Sequence, residues 1–230
     1  MKFREFRKRF IPDYAVVPYL ICGIGLLMAF YLTRFINYKF RGPYETFPDI
    51  TGDLDRAIPV IPLWVTVYFL SYVFWVVSYL WVSKESKGMS NRLLMADILC
   101  KILCTVIFIA FPTTMLQPEN TDSLTAGWML DFLYAVDSPD NLFPSMHCTT
   151  SWFAMRYVFK CKKIPSWYKW FSVFAVLSVF AAVLFTKQHV IVDIFGGVAA
   201  AEICIQISNR TNLYKLYDRL DITEKEKWFI

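Results

Sequence analysis

Residues 167–197 read WYKWFSVFAVLSVFAAVLFTKQHVIVDIFGG. The run from Trp167 to Phe185 is apolar over the roughly 17 to 25 residues that a spanning helix needs. Thr186, Lys187 and Gln188 interrupt it, and a second apolar run resumes at His189 and continues to Ile207. Four further runs approach or exceed that length: Tyr14 to Phe35, Val60 to Val82, Leu93 to Leu116 and the shorter Pro144 to Phe159. The expected fold is therefore all-α, an integral membrane bundle of six transmembrane helices forming one domain over residues 1–230, with its core at about 93–207. Composition agrees. At 57% hydrophobic and 18% aromatic, with a mean hydropathy of +0.41, the chain is too apolar for an ordinary soluble domain of 230 residues.

Orientation follows from the basic residues of the connections. With six spans, one side carries Lys2, Arg4, Arg7, Lys8 and Arg9; Lys84, Lys87 and Arg92; Arg156, Lys160, Lys162, Lys163 and Lys169; and Arg210, Lys215, Arg219, Lys225 and Lys227. The other side has only Arg34, Lys39, Arg41, Arg56 and Lys187. Both termini are expected in the cytoplasm, as amphipathic arms (1–13 and 208–230) resting on the anionic leaflet. Phe3, Phe6 and Phe10 mark the first arm, and Leu213, Tyr214, Tyr217 and Leu220 the second. The net charge of +5 calls for no nucleic-acid partner. The first apolar run is long and has no small-residue cleavage site, so it is expected to stay as a span. Cys22, Cys100, Cys104, Cys148, Cys161 and Cys204 lie in spans or at their ends and read as packing residues, without zinc-ligand spacing.

Two outer loops are long. Gly42-Pro43 marks a turn in the first, before Asp53, Asp55 and Arg56. The second, 117–143, has acidic residues without a basic partner (Glu119, Asp122, Asp131, Asp137, Asp140) and an apolar set around Trp128 to Tyr134, which suits a short surface helix or a solvated connector. Within the spans, Asp97 and Lys101 are spaced to neutralise each other, and Glu202 has no evident partner. Gly196, Gly197 and Ala200 give the last span a small packing face.

The chain has only two histidines, His147 and His189, and both fall where an apolar run begins on the outer side. Asp193 follows His189 by four residues, a spacing that lets a carboxylate hold one imidazole nitrogen and leave the other free for attack. In Phe143-Pro144-Ser145-Met146-His147, Pro144 suits a first helical turn and Asn141 can cap it. A phosphoryl oxygen could then rest on Ser145 and the helix amino terminus while His147 protonates the departing oxygen. His189 would carry the phosphoryl group as a phosphohistidine, released by water or an alcohol.

Pro144-Ser145-Met146-His147, with His189 and Asp193 some forty residues on, resembles the second and third motifs of the type 2 phosphatidic acid phosphatase superfamily. That superfamily embraces lipid phosphate phosphatases, polyprenyl diphosphate phosphatases, inositolphosphotransferases and vanadium haloperoxidases. The likeness spans about 111–197. It implies that His189 is the nucleophile, Asp193 its orienter, His147 the acid and Ser145 a phosphate contact, with no metal or other cofactor. The first motif of the superfamily, Lys, six residues, then Arg-Pro, is met only at Pro118; Ala110 and Gln117 occupy its basic positions. In the third motif Ala182-Val183 replaces Ser-Arg. Lys187 and Arg56, with Gln117, are the remaining candidates to hold phosphate, Lys187 serving equally well as an interface anchor. The function expected is a metal-independent phosphatase acting on a lipid phosphate at the outer face of the cell membrane. Head-group transfer, in the manner of inositolphosphotransferases, and non-catalytic lipid binding are the alternatives, and the oligomeric state is open.

Overall fold

The computed structural model describes residues 7, 10–118 and 126–221; Phe3, Phe6, Glu119, Asp122 and the basic residues at 225 and 227 lie outside them. Among the described residues the chain is helical and has no strand, only isolated bridges from Thr114 to Asp49 and to Asp140. Five helices are long and apolar enough to cross a membrane: α1 (Asp13–Arg41), α3 (Trp64–Glu85), α4 (Lys87–Ala110), α7 (Ser166–Phe185) and α8 (Ile191–Arg210). Two short helices, α2 (Asp53–Ala57) and α5 (Gly127–Val136), lie in the loops. The fourth expected span is α6 (Met146–Lys160), only 15 residues or about 22 Å long. It is nevertheless central, packed against α3, α4, α7 and α8, and is lined with buried residues from Met146 to Val158.

Boundaries shift where backbone chemistry outweighs hydropathy. The third apolar run was expected to continue to Leu116, but α4 stops at Ala110 because Phe111 precedes Pro112 and is pushed out of the helical region. The following residues run extended, with Thr114 N–H donating to the Pro48 carbonyl (3.0 Å). Within α1, Met28–Leu32 form a π-helical turn, and the Thr33 hydroxyl donates to the carbonyls of Ala29 and Phe30. Such turns widen a helix and bring one extra side chain round, here beside Phe30.

The connections gather at two ends of the bundle. At one, the Glu85 carboxylate accepts from the amides of Lys162 and Lys163 (3.0 Å each), Arg92 donates to Asn209 O (2.9 Å), and Lys87 pairs with Asp221 (2.8 Å). At the other, Ile61 N–H donates to Phe185 O (3.0 Å), joining the start of α3 to the end of α7. In the tail, Leu213–Leu220 forms a 3₁₀ helix packed on α4 and α1, with Tyr217 buried in the core while Leu213 and Leu216 stay exposed. The intramembrane charges have partners: Lys101 donates to Asp97, and Glu202 accepts from Arg156 Nε (2.6 Å) and Trp152 Nε1 (2.7 Å).

The small face of α8 is what seats α6. A Cβ on Gly197 would stand 2.7 Å from Ser145 O and 3.1 Å from Cys148 Cβ. Gly197→Ala should therefore force backbone apart and destabilise by about 1 to 3 kcal/mol. Gly23→Ala, where nothing lies within 4 Å, should not. Thermal unfolding of both variants in detergent checks the contrast.

Candidate active site

The start of α8 organises the site. Asp193, in its first turn, accepts from Val190 N–H (3.0 Å) and lies 3.2 Å from His189 Nδ1 through the same oxygen, Oδ2. His189 is not on the helix, as its spacing suggested; it precedes the cap residue Val190, so the contact is made across the helix entrance. Asp193 is fully buried, and its Oδ1 has no partner among the described residues. Asp55 closes the neighbouring position, accepting from Ile191 N–H (2.8 Å) and Gly52 N–H (3.0 Å). Carboxylates at a helix amino terminus are favoured by its exposed N–H groups and dipole.

The Phe143–Cys148 segment meets this entrance directly, for Ser145 N–H donates to the Asp193 carbonyl (3.1 Å). Ser145 itself caps α6, its Oγ accepting from Cys148 N–H (3.3 Å), and is fully buried. The cap expected of Asn141 is thus made by Ser145, and the residue expected at phosphate is engaged in the helix. The ring centroids of His147 and His189 are 5.8 Å apart. An aromatic wall from α3 surrounds His147: Tyr68 at 4.5 Å, Trp75 at 5.5 Å and Tyr72 at 6.0 Å between centroids, with Tyr72 Oη 3.3 Å from His147 Nε2.

Both imidazoles line one cleft with Phe30, Asp137, Ser138, Asp140, Asn141, Leu142, Met146 and Gln188. Its free volume is about 10 Å³, room for about one water, so a phosphoryl group requires side chains to move. No family model, no curated protein and no solved structure matches the chain. The residues of the cleft must speak for themselves.

The expected basic holders do not come to it. Lys187, at φ 50°, donates through Nζ to Asp55 O (2.6 Å), tying α2 to the α7–α8 turn; burial lowers its pKa, opposed by Asp55. Arg56 is exposed and reaches Thr51 O at 3.5 Å. Gln117 sits in the extended segment after α4, outside the cleft lining, with its Nε2 buried and unpartnered among the described residues. Residues not anticipated stand there instead. Asp140, which looked to lack a basic partner, is paired with Arg34 of α1 (Nε to Oδ2 2.7 Å, Nη2 to Oδ1 2.8 Å) and accepts from Tyr38 (3.0 Å). Asp137 accepts from Tyr68 Oη (2.8 Å). Their proximity to the Pro-Ser-Met-His string was the one signal available in sequence.

Helix α5 covers this end, burying Leu130 and Leu133 against Val65, Tyr68 and Val183 while Tyr134 donates to Thr186 O (3.0 Å). Trp128 and Phe132 remain exposed, an outward apolar face consistent with the surface helix read from sequence.

Burial raises the Asp137 pKa above the usual carboxylate value, and the Tyr68 hydrogen bond and nearby His189 pull it back. A midpoint raised on folding favours the fold at low pH, and that contribution is lost as pH rises through the folded midpoint. Tyr68→Phe should move the Asp137 midpoint further upward, read from the protonated-carboxyl infrared band across a pH titration. An unchanged or lowered midpoint would show that the tyrosine does not hold the carboxylate.

Proposed function

We propose that the chain is a membrane-embedded phosphatase or phosphotransferase acting on a lipid phosphate through a phosphohistidine. One observation carries this reading: His189, held through Nδ1 by a fully buried carboxylate, shares a cleft with His147, 5.8 Å away between ring centroids. Asp193 favours the Nδ1–H tautomer of His189 and stabilises the cation that forms on attack, leaving Nε2 as the nucleophile. Attack forms a P–N bond and breaks the P–O bond to the lipid alcohol, which takes a proton from His147. Water or a second alcohol then gives its proton to His147 as its oxygen displaces His189. The chemistry asks for no metal, since nucleophile and acid are both imidazoles. The motif likeness to type 2 phosphatidic acid phosphatases supports the same roles.

His189→Ala and Asp193→Asn should each lower turnover by on the order of 10³-fold or more, and the double variant should be no worse, because the two act as one unit. Turnover is read as free phosphate and as new lipid species, scored separately. Vanadate should inhibit and EDTA should not; dependence on a divalent metal would sink the mechanism.

The concentration of basic connections at the end opposite the histidines supports six crossings, with α6 as the fourth, both termini in the cytoplasm and the site at the outer face of the cell membrane. All six native cysteines are buried. Glu45→Cys, at the histidine end, should thus react with an impermeant thiol reagent in intact cells, whereas Gly88→Cys, at the basic end, should label only after permeabilisation. The reverse pattern would turn the site inward.

A further inference from the structure

Among the described residues that line the cleft, the buried side-chain polar atoms lacking partners belong to neutral amides. Asn141 and Gln188 line it beside both histidines, and each is only 4% exposed. Neither Nδ2 nor Oδ1 of Asn141, nor Nε2 of Gln188, has a hydrogen-bond partner among the described residues. Buried amide groups are ordinarily satisfied, so a cluster of unpaired ones in a single cleft points to a ligand that completes them.

Their backbones are held in place. The amides of Gln188 and His189 both donate to Val183 O (2.9 and 3.1 Å), fixing the Gln188 position next to the nucleophile. Asn141 has φ 54°, a left-handed conformation that Asn adopts more readily than most residues, and its side chain caps no helix.

The charge of the lining selects the ligand. Among the described residues the cleft lining contains no Lys or Arg but two carboxylates, Asp137 and Asp140. Arg34 is committed to Asp140 through two hydrogen bonds, so it neutralises that carboxylate instead of adding a free positive charge. Beyond the one proton that His147 carries as acid, a phosphomonoester dianion in such a site meets Asp137 with no Lys or Arg to offset it, whereas a phosphodiester carries a single charge and two non-bridging oxygens that N–H donors can satisfy.

We propose that the substrate is a phosphodiester lipid, with Asn141 and Gln188 as its phosphoryl-binding residues. This rests on the phosphohistidine reading of the same cleft. The transferred unit is then a head-group phosphate ester: His189 displaces the lipid alcohol, which leaves with the His147 proton, and the acceptor alcohol or water returns a proton to His147 as the P–N bond breaks.

The test uses the full-length protein in detergent micelles with two short-chain probes of equal acyl length, a phosphatidylglycerol as diester and a phosphatidate as monoester. The diester is expected to be turned over with at least ten-fold higher kcat/KM. Gln188→Glu and Asn141→Asp, near-isosteric changes that add negative charge, should each lower diester kcat/KM by ten-fold or more. Gln188→Lys should narrow or reverse the preference. A folding defect is separated by the elution profile and thermal midpoint, and the preference of the unaltered protein stands independently of any variant. If the monoester is preferred and its turnover needs His189, the amide proposal is overturned while the phosphohistidine reading survives. If neither probe yields product, or turnover persists in His189→Ala, both are overturned.

Discussion

The Asp193 carboxylate is the constraint on which the site depends. One of its oxygens accepts the first free amide of α8 and also faces His189 Nδ1, while its backbone carbonyl receives the Ser145 amide. A single residue therefore ends one helix entrance, orients an imidazole and docks the segment carrying the other. Such an arrangement needs a dry environment, because water at the helix entrance would compete for each of those donors. The fully buried Ser145 and the close approach of Gly197 supply it.

Loop conformation decides which other residues reach the cleft. The π-helical turn of α1 places Phe30 at its wall, and Asp140 is drawn to Arg34 of the same helix. The bridges from Thr114 to Asp49 and Asp140 connect both long loops. Lys187 is held away by the Asp55 carbonyl. The cleft is consequently framed by aromatic rings and amides, and its two carboxylates are each held by a protein donor.

Much of this was legible in sequence, because hydropathy over twenty residues is a collective signal that local detail cannot erase. Five helices long and apolar enough to span, the Asp97–Lys101 pair and the His189–Asp193 pair follow from spacing and pattern, a short helix around Trp128 was one of two readings of its loop, and the meeting of His147 with His189 was implied by the motif likeness. The position of His189 ahead of its helix was not legible, since an i, i+4 spacing fits a helix face and a helix entrance equally well. Lys187, Arg56 and Gln117 looked like phosphate holders because charge and polarity beside a motif are visible in a string of letters. Their actual neighbours depend on loop contacts between residues tens of positions apart. Asn141, read as a helix cap, and Gln188 were not picked out as cleft residues for the opposite reason: a neutral amide has no distinctive spacing, and only burial without a partner makes it conspicuous. Arg156 could not be matched to Glu202 across 46 residues before the packing of α6 on α8 was known.

The shortness of α6 sets a depth. Glu85, the last residue of α3, caps the loop that follows α6, so the two helices are level at that end. With 22 residues against 15, α3 extends about 10 Å beyond the start of α6 at the other end. His147 accordingly meets Tyr68, Tyr72 and Trp75, partway down α3, and not its first residue, Trp64. His147 therefore lies below that end of α3, which rises past it with α5 packed on Tyr68. If the cleft takes a lipid phosphate, as proposed above, the head group must descend past that end of α3 and shed bound water on the way. Under that reading, dehydration grows harder with each added charge, and the overhang of α3 would discriminate among lipids before any side chain touches them.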